Sequence, residues 1–389
     1  MAERAQPPKL LFLVTEDWYF CSHRLPVARA ACDAGFAVIV ATRVRDHAAQ
    51  IAGEGFALVP LGWRRSGDGV AGGFRAVAEI VRVYRRERPD IVYHVALKPA
   101  LFGGIAARLA FAFGRKPAMI SAIMGLGTSA LTWWRRWALG RALRLVAGRG
   151  EVIVQNAEDR TALMRCGLDR ARVALIRGSG VDTAHFAALP RPEGCTVALV
   201  GRMLRSKGVL DAVAAVRALR AEGLVVDLLL AGGVDPDSRD SLSEGELAAL
   251  AQEPGIAWLG HVNDVREVWR HAAIALLPSS YGEGVPKALL EAASCARPIV
   301  ASDRPGCRDV VVDGETGLLV PPGNVPALAA AIGDLAGDPQ ARARMGAAGR
   351  ARVVAEFGEA TVAEQTLTVI RRSLADRAMQ EKGQGKVRC

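Results

Sequence analysis

The sequence predicts an α/β protein with two doubly wound, Rossmann-like domains. Three observations support this fold class: a length of 389 residues, an alternation of short apolar runs with helical segments, and a restart of that alternation near the middle of the chain. Single hydrophobic cores stop growing at about 250–300 residues, so a chain of this length is expected to divide. Strands that alternate with helices form parallel sheets with helices on both faces.

In the first half of the chain, short apolar runs bounded by polar or turn residues predict buried strands. Helices are expected between them at Leu25–Ala34, Phe74–Arg86 and Leu101–Phe111. Ligands of such sheets bind beyond the carboxyl ends of the strands, so the turns that follow the strands are candidate binding segments. The predicted strands are Leu10–Val14, Ala37–Ala41, Ala57–Leu61, Ile91–Ala96, Met119–Ile123 and Val152–Gln155.

The alternation restarts after a loop at residues 190–194, whose prolines and glycine predict a domain boundary. We therefore expect one domain at 1–187 and a second at 188–360. The polar and basic end of the chain, 379–389, is expected to be a flexible tail. The predicted strands of the second domain are Val197–Val200, Val226–Leu230, Ala257–Leu259, Ile274–Leu277, Ile299–Ala301 and Leu318–Val320.

Composition restricts the class of protein. A hydrophobic content of 51% and a charged content of 23% indicate a folded protein. The net charge of +10 fits phosphates, acidic substrates or an anionic membrane surface. The sequence has no helix-turn-helix, zinc or RNA-binding signature, which disfavours nucleic acid as the partner.

The cysteines and the apolar runs predict the compartment. Seven scattered cysteines without a C-x-x-C pair indicate reduced thiols in a cytoplasmic protein. The first apolar run, Leu10–Val14, is predicted to be a strand and not a signal peptide. No apolar run is long enough to span a bilayer, so any membrane association is expected to be peripheral.

The stretch 280–292 is the strongest functional signal. It leaves an apolar run, passes through a glycine turn and enters a helix predicted to start at Pro286. Backbone N–H groups and the helix dipole make such a junction an anion site. Glu283 in the turn and Glu291 on the helix flank it, and carboxylates accept hydrogen bonds from sugar hydroxyls. The pattern suits a nucleotide sugar, with a solvated helix face as the alternative.

A second candidate segment, Gly201–Gly208, follows the first strand of the second domain. Arg202 and Lys207 would converge on a diphosphate and neutralise the charge that grows as a nucleotide leaves. The segment lacks the glycine spacing of a Walker loop, and a solvated basic turn is the alternative. The loop at 235–237, with two aspartates, is interpreted as solvated and not as a metal site.

Glu283 and Glu291 match the E-x7-E signature of the retaining nucleotide-sugar glycosyltransferases of family 4. The glycines beside Glu283, the segment Ser302–Gly306 and the loop Gly201–Gly208 are also similar to that family. The resemblance implies the GT-B fold, in which two Rossmann-like domains face each other across a cleft. It also implies that a helix at 361–378 crosses back to the first domain.

The resemblance further implies roles for the site residues. Arg202 and Lys207 would stabilise the departing diphosphate, and Glu283 would position the sugar and face the developing positive charge. The donor is expected to be an NDP-sugar, with UDP as the expected nucleotide, and neither a metal nor a cofactor is expected. The expected donor-binding residues are Gly282, Gly284, Val285, Pro286, Leu289 and Glu291, with His261 and Val262 at the nucleobase.

Acceptor candidates lie in the first domain. The segment 16–24 follows the first strand and lacks the glycine-rich loop that the family usually carries there. This departure resembles bacterial enzymes that act on polyprenyl-diphosphate-linked sugars. His23 and Arg24 would contact an acceptor phosphate or the donor, with packing as the alternative. His94 and Lys98 are further acceptor candidates, and a core position is the alternative for His94.

A tryptophan–arginine helix after residue 132 is predicted to contact a membrane. Tryptophan mixed with arginine is typical of interfacial helices, although internal packing and cation–π pairs use the same residues. At about 100° per residue, the positions form two faces. Leu131, Trp134, Ala138, Ala142 and Leu145 would pack on the sheet, whereas Trp133, Trp137 and Arg144, flanked by Arg136 and Arg141, would face the membrane.

Together these patterns predict a retaining glycosyltransferase at the cytoplasmic face of the inner membrane. The expected acceptor is a polyprenyl-diphosphate-linked glycan of bacterial surface-polysaccharide assembly. A soluble acceptor and a non-catalytic, membrane-bound scaffold are the alternatives, and a nucleotide-sugar 2-epimerase of the same fold is less supported.

Overall fold

A computed structural model describes residues 6–63, 69–124, 133–148 and 150–385. The chain forms two compact units: Met1–Ile176 with Ala360–Cys389, and Arg177–Glu359. The division lies before the expected boundary at 187/188, because Val181 and Phe186 pack in the core of the second unit.

The first unit is built on a parallel sheet of seven strands. The strands are β1 (Lys9–Glu16), β2 (Ala37–Arg43), β3 (Ala57–Pro60), β4 (Ile91–Val95), β5 (Ala118–Ile123), β6 (Glu151–Val154) and β7 (Val173–Leu175). Their order is β3-β2-β1-β4-β5-β6-β7, and all neighbours are parallel. The first six coincide with the predicted strands to within two residues; the three-residue β7 was not predicted.

Helices cover both faces of this sheet. They are α1 (Asp17–His23), α2 (Leu25–Asp33), α3 (Ala48–Gly53), α4 (Gly69–Glu87), α5 (Leu97–Ala110), α6 (Trp133–Ala147) and α7 (Ala157–Arg165). Helix α1 begins directly after β1, where the sequence predicted a turn. The Asn156 side chain caps α7 by accepting the backbone N–H of Asp159 at 2.7 Å.

The last helix, α15 (Glu359–Gly385), belongs mostly to the first unit. Its residues Val362, Leu367 and Ile370 are buried in the same cluster as strands β1 and β4. The guanidinium of Arg377 pairs with Asp90 at 2.8 Å and is only 8% exposed. The helix therefore continues through 379–385, which were expected to be part of a flexible tail; residues 386–389 lie outside the described range.

The second unit contains a parallel sheet of six strands, all of which were predicted. They are β8 (Thr196–Val200), β9 (Asp227–Ala231), β10 (Ile256–Trp258), β11 (Ile274–Leu277), β12 (Ile299–Ser302) and β13 (Gly317–Val320). The order is β10-β9-β8-β11-β12-β13. The strand order reverses between β8 and β11, which makes their carboxyl ends the expected ligand site.

The helices of the second unit form layers on both sheet faces. Val209, Val213 and Ile332 lie in one buried cluster, and Trp269 and Leu290 lie in another. Among the described residues, no helix is long and apolar enough to cross a membrane. The helices are α8 (Val209–Ala221), α9 (Glu244–Leu250), α10 (Val265–His271), α11 (Lys287–Ser294), α12 (Cys307–Val310), α13 (Val325–Gly337) and α14 (Pro339–Glu356).

Candidate active site

Two loops meet at the switch point of the second sheet. One leaves β8 and ends at Gly208, and the other leaves β11 after Pro278. The backbone N–H of Ser280 donates to the Ser206 carbonyl at 2.8 Å and joins them. Gly208 has φ +77°, and a Cβ there would lie 2.2 Å from the Pro278 carbonyl oxygen. Only glycine allows this conformation and this approach.

The contact brings the predicted lysine and glutamate together. The Lys207 ammonium donates to both carboxylate oxygens of Glu283, at 2.7 and 3.0 Å. The Ser279 hydroxyl, which the sequence did not single out, donates to the same carboxylate at 2.8 Å. The Lys207 and Glu283 side chains are 13% and 11% exposed, so the pair is largely shielded from water but open at one side.

Both groups of this pair stay charged. Burial alone would lower the pKa of Lys207, but the Glu283 carboxylate outweighs it and holds that pKa above its ordinary value. Burial would raise the pKa of Glu283, but the charge of Lys207 and hydrogen bonds from Lys207, Ser279 and Tyr281 hold it below the ordinary value. The turn therefore presents an ionised carboxylate at neutral pH.

Arg202 forms an ion pair with Asp235, which the sequence predicted to be solvated. Its Nη1 donates to Asp235 at 2.6 Å, and the Asp235 side chain is 9% exposed. The Asp235 backbone N–H in turn donates to the Ser241 hydroxyl at 2.9 Å. The interpretation of Asp235 as solvated was therefore wrong. The position of Asp235 in the chain could have indicated that it lies near Arg202, because Asp235 follows β9, the neighbour of β8 in the sheet.

The glycine turn that carries Glu283 is fixed by a second close approach. Gly306 has φ +85°, and a Cβ there would lie 1.5 Å from the Gly284 carbonyl oxygen. The segment after β12 thus packs directly on the backbone of Glu283 and Gly284. Pro286 occupies the N-cap position of α11, one residue before the helix begins at Lys287, and its side chain makes no capping hydrogen bond. The predicted strand–turn–helix junction is present, with Pro286 preceding the first helical position.

Two of the donor-binding predictions fall on packed side chains. Leu289 is 1% exposed and its side chain lies in the hydrophobic core beside α11, so a contact with the donor through this side chain is not favoured, and the predicted donor contact stays a prediction. Val285 is 7% exposed and packs against Gly178. Glu291, by contrast, is partly exposed, and burial together with Glu359, opposed by Lys287, raises its pKa to about 7.

The predicted nucleobase turn follows β10. The Gly232 N–H donates to the Gly260 carbonyl at 2.7 Å, which brings the turn to the carboxyl end of β9. His261 is exposed, whereas Val262 packs against the core. In the part of the chain that the structure describes, no group of three or more His, Cys, Asp or Glu side chains could hold a metal ion.

In the first unit, His23 and Arg24 lie at the junction of α1 and α2. The His23 ring stacks on Tyr19 at 4.1 Å, and its Nδ1 lies 2.6 Å from the Ser22 hydroxyl. Arg24 is 2% exposed and donates to the Met124 thioether sulfur. No carboxylate among the described residues pairs with Arg24, so its charge is buried beside a neutral partner.

His94 lies in the core, where the alternative of a core position places it, and its contact with an acceptor stays a prediction. Its side chain is 1% exposed. Nε2 lies 2.9 Å from the Tyr84 hydroxyl and Nδ1 lies 3.3 Å from the Ser121 hydroxyl. Burial lowers the pKa of His94 to about 3, so the ring is neutral. Lys98 is partly exposed, with Nζ 5.5 Å from the centroid of the Trp63 ring.

The exposed face of α6 differs from the predicted one. Leu143 and Val146 are buried, whereas Leu145 is 62% exposed, so the predicted sheet-packing face was wrong. Trp137 is 58% exposed, with the Arg141 guanidinium 5.0 Å from the centroid of its ring. Arg144 is also exposed. The side chains of Trp133, Trp134 and Arg136, and residue Leu131, lie outside the described part of the chain.

Comparison with known proteins identifies the family. The profile described as "Glycosyl transferases group 1" matches residues 194–338, and that described as "Glycosyl transferase 4-like" matches residues 9–132. The chain is 33% identical over 274 residues to alpha-maltose-1-phosphate synthase of Mycolicibacterium smegmatis, covering 64% of this chain and 68% of that protein. It is 22% identical over 306 residues to the capsular polysaccharide biosynthesis glycosyltransferase CapM of Staphylococcus aureus, covering 75% and 79%.

Solved structures share the fold. Anabaena Alr3699/HepE in complex with UDP and glucose superposes with a TM-score of 0.76 at 19% identity, covering 94% of this chain and 99% of that chain. Sucrose-phosphate synthase from Thermosynechococcus elongatus superposes with a TM-score of 0.77 at 21% identity, covering 95% and 100%. The two parallel sheets are therefore those of the GT-B fold, and the chain belongs to the group 1, family 4-like glycosyltransferases.

Proposed function

We propose that this glycosyltransferase transfers a hexose or N-acetylhexosamine from a UDP-sugar to a polyprenyl-diphosphate-linked glycan, with retention at the anomeric carbon and without a metal. The observation that supports a nucleotide-sugar donor is the junction of the loops that follow β8 and β11. There a buried Lys207–Glu283 pair lies in the same site as the Arg202–Asp235 pair. The likeness of the fold to a structure that holds UDP and glucose supports the choice of nucleotide.

In the proposed step, the bond from the anomeric carbon to the phosphate oxygen breaks, and a bond from the acceptor oxygen forms on the same face. The acceptor hydroxyl gives its proton to the leaving diphosphate. Arg202 and Lys207 stabilise the negative charge that grows on that diphosphate. Because the pKa of Glu283 lies below its ordinary value, its carboxylate is ionised. Its negative charge stabilises the positive charge that develops on the sugar.

The two ion pairs position these groups before the donor binds. An ammonium has three N–H donors, so Lys207 can hold Glu283 and a phosphate oxygen together. A guanidinium has five donors in a fixed plane, and Asp235 orients that plane through Nη1. Glu291 is proposed to accept hydrogen bonds from the ribose hydroxyls, with the turn at His261 and Val262 beside the base.

The observation that supports a polyprenyl-diphosphate-linked acceptor is the environment of Arg24. A buried guanidinium beside a thioether, without a carboxylate partner in the described residues, is suited to an acceptor phosphate. We place His23 and Lys98 at the same acceptor. The exposed face of α6, with Trp137, Arg144 and Leu145, is proposed to contact the anionic cytoplasmic surface of the inner membrane.

The test is product formation. Purified protein is incubated with UDP-, GDP- and ADP-sugars and short polyprenyl-diphosphate-linked mono- or disaccharides, with and without EDTA. We expect one hexose or N-acetylhexosamine increment in lipid mass from a UDP-sugar, unchanged by EDTA. The anomeric coupling constant in the proton NMR spectrum of the product should match that of the donor. An inverted product, or loss of activity in EDTA, would contradict the mechanism.

Arg202 has a matched control in its own loop. Arg205 is 46% exposed and pairs with Glu246. We expect Arg202→Ala to reduce the rate at least 100-fold, the order of magnitude found for removal of one donor to a developing anion. Arg205→Ala should stay within about twofold, since an exposed ion pair contributes little. Equal effects of the two substitutions would assign Arg202 to the solvated turn.

A soluble acceptor is the second candidate, favoured by the 33% identity to an alpha-maltose-1-phosphate synthase. The same donors are therefore tested with glucose 1-phosphate and with maltooligosaccharides. Mass gain on these compounds, and none on the lipid, would overturn the polyprenyl acceptor and the membrane contact of α6. The donor half of the proposal would remain.

A further inference from the structure

A cavity of about 580 Å³ lies at the amino edge of the first sheet. Ala118 and Glu151, the first residues of β5 and β6, line it, as does Arg172 immediately before β7. Helix α15 contributes Ser373 and Arg377. The candidate active site is built on the carboxyl edge of the other sheet, so this cavity is a separate feature of the fold.

The lining carries an excess of positive charge. Four cationic side chains and two carboxylates line the cavity, which leaves two uncompensated positive charges. The cations are Arg108, Lys116, Arg172 and Arg377, and the carboxylates are Glu151 and Asp376. Within the described residues, neither Arg108 nor Lys116 pairs with a carboxylate; the Arg108 guanidinium donates to the Leu145 carbonyl.

The other cations are held in place. Arg172 lies 3.6 Å from Glu151 and 3.7 Å from Asp376, and Glu151 also pairs with Arg372 at 2.5 Å. Arg377 pairs with Asp90 at 2.8 Å. These contacts cross from the strand ends to α15, so the helix and the sheet together form a fixed wall.

One buried hydroxyl of this wall has no partner. Ser373 is 5% exposed, and its Oγ makes no hydrogen bond to any residue that the structure describes. Buried hydroxyls are normally hydrogen-bonded, because an unsatisfied one loses its bonds to water without replacement. A hydroxyl that lines a cationic cavity can donate to an anionic oxygen.

We propose that this cavity binds the phosphomonoester group of a phosphorylated small molecule. A phosphomonoester carries a charge of about −1.5 to −2 at neutral pH, which matches the excess of two positive charges. Arg108 and Lys116 neutralise the group, and Ser373 donates to one of its oxygens. The volume lies within the range of small-molecule sites, about 300–1,000 Å³, so a sugar fits beside the phosphate.

The test is binding to the full-length protein. The probes are glucose 6-phosphate, inorganic phosphate and vesicles that contain phosphatidic acid, with glucose and phosphatidylcholine vesicles as uncharged or zwitterionic controls. Calorimetry should show one site per chain for glucose 6-phosphate and none for glucose. To separate this site from the active site, the titration is repeated with Arg202→Ala, in which binding should persist.

Substitutions in and beside the cavity lining test whether the phosphate binds there. Arg108→Ala and Lys116→Ala break no ion pair of the described structure, so they should fold normally and weaken binding at least tenfold each. Ser373→Ala should weaken it severalfold. Arg115, adjacent to Lys116 and 65% exposed, does not line the cavity, and Arg115→Ala should bind like the wild type.

Binding to phosphatidic acid vesicles alone, lost in Lys116→Ala, would overturn the small-molecule ligand and assign the phosphomonoester to a lipid headgroup. Binding that is lost in Arg202→Ala but kept in Arg108→Ala and Lys116→Ala would overturn the proposal, because the phosphate would then occupy the active site. Absence of binding for every phosphate probe would overturn it as well.

Discussion

The substitution Lys207→Met removes the ammonium from the Lys207–Glu283 pair but keeps the length and much of the apolar stem of the side chain. Glu283 then stays behind as a charge that is 11% exposed. It retains the hydrogen bond from Ser279 at 2.8 Å. The variant therefore tests whether the pair is a buried interaction with a structural cost when broken.

The expected loss of folding stability follows from the burial of the Lys207–Glu283 pair. Removal of one partner of a buried ion pair destabilises by about 3–5 kcal/mol, because the other charge is left uncompensated. Partial exposure and the surviving Ser279 bond reduce this to about 2–3 kcal/mol. In a unit the size of Arg177–Glu359, each kcal/mol shifts Tm by about 2–4 °C, so a fall of about 4–12 °C is expected.

The pH dependence has a defined sign. In the wild type the pKa of Glu283 lies below its ordinary value of 4.5, so the stability it contributes is present above pH 4.5 and is lost as the pH falls through the folded-state pKa. In Lys207→Met, the hydrogen bonds from Ser279 and Tyr281 alone oppose burial, so we expect the pKa of Glu283 to rise above 4.5. The loss of stability is then greatest above that raised pKa and shrinks as the pH falls from it toward 4.5.

Differential scanning calorimetry at pH 7 and pH 5 measures these effects. Lys207→Met should lose more stability at pH 7 than at pH 5, and the double variant with Glu283→Gln should recover most of the loss without recovering activity. If Lys207→Met melts like the wild type at pH 7, or if the double variant is no more stable than the single one, the pair is not a buried interaction and the reasoning fails.

Three further substitutions test the rest of the site. Asp235→Asn should lower kcat/KM about three- to tenfold by releasing Arg202, whereas Asp227→Asn, in an Arg–Asp pair at the other end of β9, should stay within about twofold; steady-state kinetics would refute this if both fell equally. Gly306→Ala should abolish UDP-sugar binding, because its Cβ would lie 1.5 Å from a carbonyl oxygen; Gly314→Ala has a similar φ of +74° but nothing within 4 Å, so it should only cost about 1 kcal/mol. Calorimetric titration distinguishes them, and a Gly306→Ala variant that binds would contradict the close approach. Because burial raises the pKa of Glu291 to about 7, UDP-sugar affinity should rise from pH 6 to pH 8 and be flat in Glu291→Gln. Since ionisation of a group with a raised folded-state pKa opposes folding, the wild type should also lose thermal stability relative to Glu291→Gln over that range; parallel profiles would exclude the raised pKa.

The strands were predictable because each is a local apolar run that a parallel sheet buries on both faces. The sequence predicted that Lys207 and Glu283 lie in one site, but not that they form an ion pair, since the two residues are 76 positions apart. Their glycine turns supplied the signal. The three-residue β7 was not predicted, although the equally short β10 was.

Other features depend on contacts that no local pattern encodes. His94 is enclosed because Gly103 leaves room for it; a Cβ at Gly103 would lie 2.4 Å from the His94 Nε2. Asp235 lies 33 positions from Arg202 and is buried only because β9 adjoins β8. On α6, the angular pattern separates two faces, but it does not determine which one the sheet covers.

The packing of α15 has a consequence for synthesis. Domains usually fold as units in the order in which the ribosome releases them. Here Val362, Leu367 and Ile370 complete the core that contains β1 and β4, whereas Arg177–Glu359 is contiguous. The first segment made is therefore the last to acquire its full core. A chain truncated after Glu359 should display a protease-resistant second unit and a first unit that is cleaved.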